Sequence, residues 1–290
     1  MKVLVTGATG TVGSAVVKEL VRRDAAAVRV LVRKLPESGK LPDGVEVVSG
    51  DLLDPISVEK AMHGVDKLFL LNAVAADELT QGLIAYGLAR RRRLKHITYL
   101  SVFKLEGFRD VPHFASKLAI ENAIREFGVP YTILRPGYFT QNDGSLRSAL
   151  TAGVYPIPVG NQGIATVDVR DIAEVAAISL TCEGHEGQTY DLVNGELLSG
   201  PKAAAIWSKA LGKEVRYAGH DFDAFEAELR NMGSPSWSAY DLRVMFQAYV
   251  ERGFAPTQAQ ADKLAALIGH APRSYEAHAQ EVAKGWASAR

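Results

Sequence analysis

A chain of 290 residues carrying 33 basic and 33 acidic side chains has no net charge, which removes bulk attraction to nucleic acid or to an anionic membrane surface. Cys182 is the only cysteine, which excludes an internal disulfide; no Cys/His spacing reads as a metal site and no apolar run approaches a membrane span, so a cytoplasmic protein without a metal is expected. The length suits one large α/β domain, or a nucleotide-sized domain with a smaller lobe.

Val3-Leu4-Val5 predicts a first strand, and Thr6-Gly7-Ala8-Thr9-Gly10-Thr11-Val12-Gly13 follows it at once. Glycines at 7, 10 and 13 allow a sharp turn and a close backbone approach, and Val12, Val16 and Leu20 then recur at helical spacing. A strand, a glycine turn and a helix N-terminus together form a cradle for an anion, and a dinucleotide pyrophosphate is the natural one. A second strand, Val28 to Val32, ends at Arg33-Lys34, where an acidic residue would bind the 2′-hydroxyl of NAD and an arginine accommodates the 2′-phosphate of NADP. These two residues favour NADP(H) and leave NAD(H) open; a solvated pair of charges is the alternative.

Val45, Val47 and Val48 form a third strand running into Gly50-Asp51-Leu52, where adenine could pack on Leu52 while Asp51 accepts its amine; Asp51 as a loop or capping residue is the competing reading. Asp54-Pro55 marks a helix start. The fourth strand, Leu68 to Leu71, empties into Asn72-Ala73-Val74, which would lie along a cofactor or serve as a plain connection. A helix from about Glu78 ends in Arg90 to Arg93, read as a solvated helix end. A fifth strand delivers Ser101 to the same carboxyl edge. Pro112 then opens a helix whose buried side is expected to carry Ala115, Leu118, Ala119, Ala123, Ile124 and Phe127, placing His113 and Lys117 one turn apart. Strand six, Tyr131 to Leu134, leads into Arg135-Pro136-Gly137-Tyr138, and Tyr138 is counted with the cofactor-facing residues.

Beyond this point come proline and glycine between about 150 and 163, a helix from about 168 to 181, a last strand at Thr189 to Leu192, and then helical patterns. Thr257 to Gln260 reads as a capping box and Gly269 as a helix stop. The expected organisation is an α/β Rossmann-type doubly wound parallel sheet over 1–150, completed by about 164–194, and a smaller, mostly helical lobe over 195–290 with contributions from about 136–163. Trp237, Tyr240 and Phe246 stand at helical spacing and are read as core ahead of pocket lining.

The glycine turn, Gly50-Asp51-Leu52, Ser101, Lys117 and Arg135-Pro136-Gly137 together resemble the NmrA-like branch of the atypical short-chain dehydrogenases, and Pro272 to Glu276 resembles the closing helix of its extended members. The resemblance spans nearly the whole chain. It implies a Rossmann-type sheet, a substrate cleft between two lobes, and a dinucleotide held at Gly7, Gly10 and Gly13 with contacts from Thr9, Thr11, Val12, Arg33, Asp51, Leu52 and Ala73. Short-chain dehydrogenases carry Ser and Tyr-x-x-x-Lys; here Ser101 and Lys117 are present, but His113 stands at the tyrosine position. Lys117 would hold the nicotinamide ribose. His113 stays open as an acid, a substrate hydrogen-bond partner or a surface residue.

A positioned acid is worth roughly two to four orders of magnitude when hydride delivery creates a basic alkoxide. A quinone or a dye-like carbocation needs far less help. The expected activity is therefore NADPH-dependent hydride transfer to a quinone-like or other conjugated aromatic acceptor, catalysed with Lys117, His113 and Ser101. The alternative is an NADP-sensing regulator that acts through a protein partner without turnover, and a tightly bound, recycled cofactor in an epimerase or dehydratase ranks last. Monomer and homodimer both stay open.

Overall fold

Short β-branched runs alternate with amphipathic helical stretches along the first two thirds of the chain, and the computed structural model, which describes residues 1–35, 37 and 40–288, turns each run into a strand. The elements are β1 (Lys2–Val5), α1 (Thr11–Arg23), β2 (Ala27–Val32), β3 (Glu46–Ser49), α2 (Pro55–Ala61), β4 (Lys67–Leu70), α3 (Glu78–Arg91), β5 (His96–Leu100), α4 (Pro112–Glu126) and β6 (Tyr131–Pro136). After these come β7 (Tyr138–Phe139), α5 (Arg147–Thr151), β8 (Val154–Tyr155), β9 (Ile164–Val167), α6 (Val169–Thr181), β10 (Gln188–Leu192) and β11 (Leu197–Leu198). The chain closes with α7 (Gly200–Leu211), β12 (Arg216–Tyr217), α8 (Phe222–Asn231), α9 (Ser236–Arg252), α10 (Gln258–Ile268) and α11 (Tyr275–Ser288).

One compact unit comprises residues 1–109, 113–135 and 169–191. Its seven-stranded sheet has the order β10-β6-β5-β4-β1-β2-β3, with β1 to β6 joined in parallel pairs. On one face α2, α3 and α4 bury Val58, Ala61, Ala85, Ala89, Ile120 and Ile124 against Leu4, Leu68, Ile97 and Ile133. On the other, α1 packs against α6. The order departs from chain sequence between β1 and β4, so the carboxyl ends of these two strands flank the crevice where doubly wound sheets take ligands. Local signals hold as written in the sequence: Asp54 accepts from Ile56 N and Ser57 N ahead of Pro55, and Thr257 and Gln260 form the reciprocal capping box.

The second unit, residues 110–112, 136–168 and 192–290, holds the sheet β11-β9-β7, the pair β12-β8, and helices α5 and α7 to α11. Its interior contains a polar knot. Tyr138 donates to Asp143 Oδ1 at 2.6 Å, Tyr275 donates to Asp143 Oδ2, and Trp207 Nε1 donates to the Tyr275 oxygen at 2.8 Å. Burial pushes the Asp143 carboxyl up. Among the described residues, no helix is long and apolar enough to cross a membrane.

Two expectations about side-chain burial are corrected. On α4 the buried face carries His113, Phe114, Lys117, Ile120, Glu121 and Ile124, whereas Ala115, Leu118, Ala119 and Ala123 are only partly buried and Phe127 is exposed. The charged residues go inside because each finds a partner there: Lys117 meets Glu78, and Glu121 takes both Nε and Nη2 of Arg135 at 2.9 and 2.6 Å. On α9, Phe246 is core, but Trp237 and Tyr240 are 40% and 53% exposed.

His96, at the start of β5, is buried, and its Nε2 lies 3.0 Å from Thr132 Oγ1. Thr132 gives its own proton to the His185 carbonyl, so Nε2 is the donor and the orphaned Nδ1 is unprotonated. Burial holds this imidazole down to about 4, against 6.5 when free. Between those values the unfolded chain binds more protons, so stability is full above about pH 6.5 and falls as the pH drops toward 4, by roughly 3 kcal/mol. Urea unfolding of the wild type and His96→Gln at pH 7 and pH 4.5 checks this: the variant is expected to lose less stability on acidification than the wild type.

Candidate functional site

The glycine turn is built by steric permission. Gly7 has φ +65°, and a Cβ there would lie 2.4 Å from Leu71 Cδ2. A Cβ on Gly13 would lie 2.1 Å from the Gly7 carbonyl oxygen, so α1 can press onto the turn only with glycine at 13. Thr6 Oγ1 locks the same turn to the end of β4, accepting from Leu71 N and donating to Leu71 O, both at 2.8 Å. Gly10, in extended conformation, is the N-cap of α1 and offers no side-chain cap. The first-turn N–H groups of α1 therefore face outward beside exposed Thr9, Gly10 and Thr11, with Val12 buried beneath them. Backbone N–H groups and a positive helix end suit a phosphate group.

Arg33 and Lys34 follow β2 directly; both are exposed, and neither has an ion pair or hydrogen bond among the described residues. Asp51 is half-buried and does double duty. Its Oδ1 accepts from Leu53 N at 2.9 Å as a turn residue, and its main chain is clamped by Ser57 Oγ at 3.0 and 3.1 Å. Leu52 packs partly against the α2–α4 core.

At the ends of β4 and β5 the polar groups are buried and unsatisfied. Asn72 Nδ2 donates to the Glu78 carbonyl at 3.0 Å, while Asn72 Oδ1 has no partner; Ala73 and Val74 beside it are exposed. Ser101 is buried with an unpartnered Oγ. Lys117, 7% exposed, places Nζ 2.7 Å from Glu78 Oε1 and 5.9 Å from the centre of the Tyr99 ring. Beyond this ion pair the Glu78 carboxylate has no hydrogen-bond partner among the described residues. Orphaned buried groups are rare in folded proteins, so several at one strand edge mark a place where a ligand completes the bonding. His113 is buried one turn before Lys117, its ring edge-on to Phe114 at 4.7 Å.

The first unit thus brings together, at one sheet edge, Gly7 to Gly13, Asn72 to Val74, Ser101 and Lys117, with Arg33, Lys34, Asp51 and Leu52 at the ends of the neighbouring strands β2 and β3. Tyr138 belongs to the second unit, where its hydroxyl is committed to Asp143; burial and that carboxyl push its phenol well above the usual range. Sequence reasoning missed Glu78 because an acidic residue in the first turn of a helix ordinarily answers the helix dipole. Nothing local marks it as the partner of a lysine on another helix.

A model of the NmrA-like family matches residues 1–275. The NAD(P)H azoreductase of Xenophilus azovorans is 32% identical over 237 residues, 80% of this chain and 82% of its own. Among solved structures, the triphenylmethane reductase of a Citrobacter species superposes with a TM-score of 0.86 at 30% identity, covering 98% of this chain and all of that one. The NADPH-dependent quinone oxidoreductase of Escherichia coli, in complex with NADPH, also gives 0.86, at 26% identity over 97% of this chain and 99% of its own. With the family model spanning all but the last residues, the chain belongs to the NmrA-like family.

Proposed function

We propose that this protein transfers hydride from NADPH to a quinone-like or other conjugated aromatic acceptor. At the coarser level it is an NAD(P)H-dependent oxidoreductase, in keeping with relatives named as azo, quinone and dye reductases. The observation that carries the reading is the conjunction at one sheet edge of an uncapped helix N-terminus on a glycine turn with the orphaned Asn72 Oδ1 and Ser101 Oγ. The first suits a pyrophosphate and the second suit the polar groups of a nicotinamide riboside.

Each residue then has a task. The α1 N-terminus with Thr9, Gly10, Thr11 and Val12 holds the pyrophosphate, and Arg33 with Lys34 takes the 2′-phosphate. Asp51 keeps one carboxylate oxygen in its turn and has the other for adenine, which would pack on Leu52. Ala73 and Val74 line the cofactor, Ser101 and Lys117 meet the nicotinamide ribose, and His113 faces the acceptor. When bound, the nicotinamide would supply a hydride, which is two electrons with one proton, and a quinone would take its second proton from solvent to leave as hydroquinone. Because the hydroquinone anion is delocalised, no protein acid is required for that second proton.

Three expectations follow from these assignments. A panel of quinones and cationic dyes added to protein and NADPH should discharge the 340 nm absorbance; NADPH that binds but is consumed by no acceptor would remove the enzyme reading. Arg33→Ala should weaken NADPH roughly ten- to hundredfold and NADH little, by calorimetric titration; equal losses would mean that Arg33 does not read the 2′-phosphate. With a quinone at pH 7, His113→Ala should keep kcat within about threefold of wild type, whereas a drop of two orders of magnitude or more would make the imidazole a proton donor.

A further inference from the structure

We propose that Glu78 is a positioning residue that holds Lys117 at the cofactor edge and cancels its charge, so that the bound dinucleotide keeps its full reducing power. The inference rests on the proposed function, in which Lys117 lies beside the nicotinamide ribose.

Glu78 opens α3, where a carboxylate ordinarily accepts from the free N–H groups of the first turn. Here it does not. The side chain is 1% exposed, neither oxygen has a hydrogen-bond partner, and Oε1 lies 2.7 Å from Lys117 Nζ. Its main chain is engaged as well: its N–H donates to the Ala75 carbonyl, and its carbonyl accepts from Asn72 Nδ2. One residue thus grips both Asn72, whose Oδ1 is open, and Lys117.

No other carboxylate stands within ion-pair distance of Lys117 among the described residues. The acids nearest along α3 and α4 are taken elsewhere, Glu121 by Arg135 and Arg125, and Asp77 by Gln81. A buried ion pair of this kind adds little to stability over an apolar pair of similar volume, so the fold alone gives no reason for it. A reason appears once the ligand is considered. The oxidised nicotinamide is a cation and the reduced ring is neutral. An unbalanced ammonium next to it would weaken binding of the oxidised form, raise the potential of the bound couple, and make the bound reduced form a poorer hydride donor. The Glu78 carboxylate offsets that ammonium.

Titration calorimetry of NADPH and of NADP+ tests this with the wild type, Glu78→Gln and the double variant Glu78→Gln/Lys117→Met. Glu78→Gln should raise the ratio Kd(NADP+)/Kd(NADPH) about tenfold, equivalent to about 30 mV for a two-electron couple. The double variant, with both charges gone, should return the ratio to within about twofold of wild type. An unchanged ratio in Glu78→Gln with NADPH still bound overturns the proposal, and so does a double variant that keeps the shifted ratio. Should Glu78→Gln fail to fold, Lys117→Met reads the same coupling with opposite sign: the unpaired carboxylate should lower the ratio about tenfold, and an unchanged or raised ratio overturns the proposal. Wild-type protein that binds neither nucleotide overturns the cofactor reading, and this inference with it; loss confined to the variants' ratio leaves that reading standing.

Discussion

The carboxyl edge of the sheet depends on how closely α1 approaches the end of β1. A methyl at residue 13 would lie 2.1 Å from the Gly7 carbonyl oxygen, well inside van der Waals contact, so the helix would have to lift or the turn reopen. Attraction is supplied elsewhere: Val16, Val17 and Leu20 are fully buried on α1, each contributing about 1.5–3 kcal/mol. The glycines decide where that attraction can be collected. Because Thr6 bonds both the N–H and the carbonyl of Leu71, the same turn also fixes where β4 releases the chain toward Asn72. A steric allowance at one residue therefore sets the relative positions of the helix end and of the loop that carries the unsatisfied amide.

Much of this was legible in the sequence, and the reason is range. The strand runs, the glycine turn, the Asp54-Pro55 start and the Thr257 to Gln260 box are each decided within a few residues, where alternation, dihedral preference and capping act. The buried face of α4 was not legible. Hydrophobic periodicity assigns charged residues to solvent, and it chose Ala115, Leu118 and Phe127; the actual face includes Lys117 and Glu121 because Glu78 on α3 and Arg135 on β6 compensate them. Compensation between elements leaves no periodic trace. Trp237 and Tyr240 are the converse case, with a spacing that fits a core face and side chains that the fold leaves exposed.

The two buried carboxylates at α4, Glu121 on the helix itself and Glu78 on α3, differ in how completely they are satisfied. Glu121 receives two parallel bonds from Arg135, and Arg135 also reaches Glu106, so the charges form a closed network of charge-assisted bonds. Removing one member would strand another, a loss of several kcal/mol. Such a network anchors the helix. Glu78 instead has a single cation, Lys117 Nζ at 2.7 Å from Oε1, and no further hydrogen-bond partner among the described residues. The closed network fixes α4 to β6, and the open one lies a turn earlier on the same helix, so rigidity is placed next to the groups that have bonding capacity to spare.

The chemistry open to such an edge is narrowed by where its phenols lie. A ketone needs an acid in reach of the nascent alkoxide, and the helix position that could supply a tyrosine holds His113. Two other buried tyrosines come into question, Tyr99 on β5 of the first unit and Tyr138 on β7 of the second. Tyr99 is fully buried, and burial together with the Glu78 and Glu121 charges pushes its phenol well above the usual range, so it gives up a proton poorly. Tyr138 has its proton engaged by Asp143 in a knot that also holds Tyr275 and Trp207. Neither stands in for the tyrosine of the short-chain pattern. An acceptor whose reduced form is a stabilised anion, or a cation that hydride simply neutralises, asks for no such group, which is why quinones and dyes are proposed ahead of simple ketones.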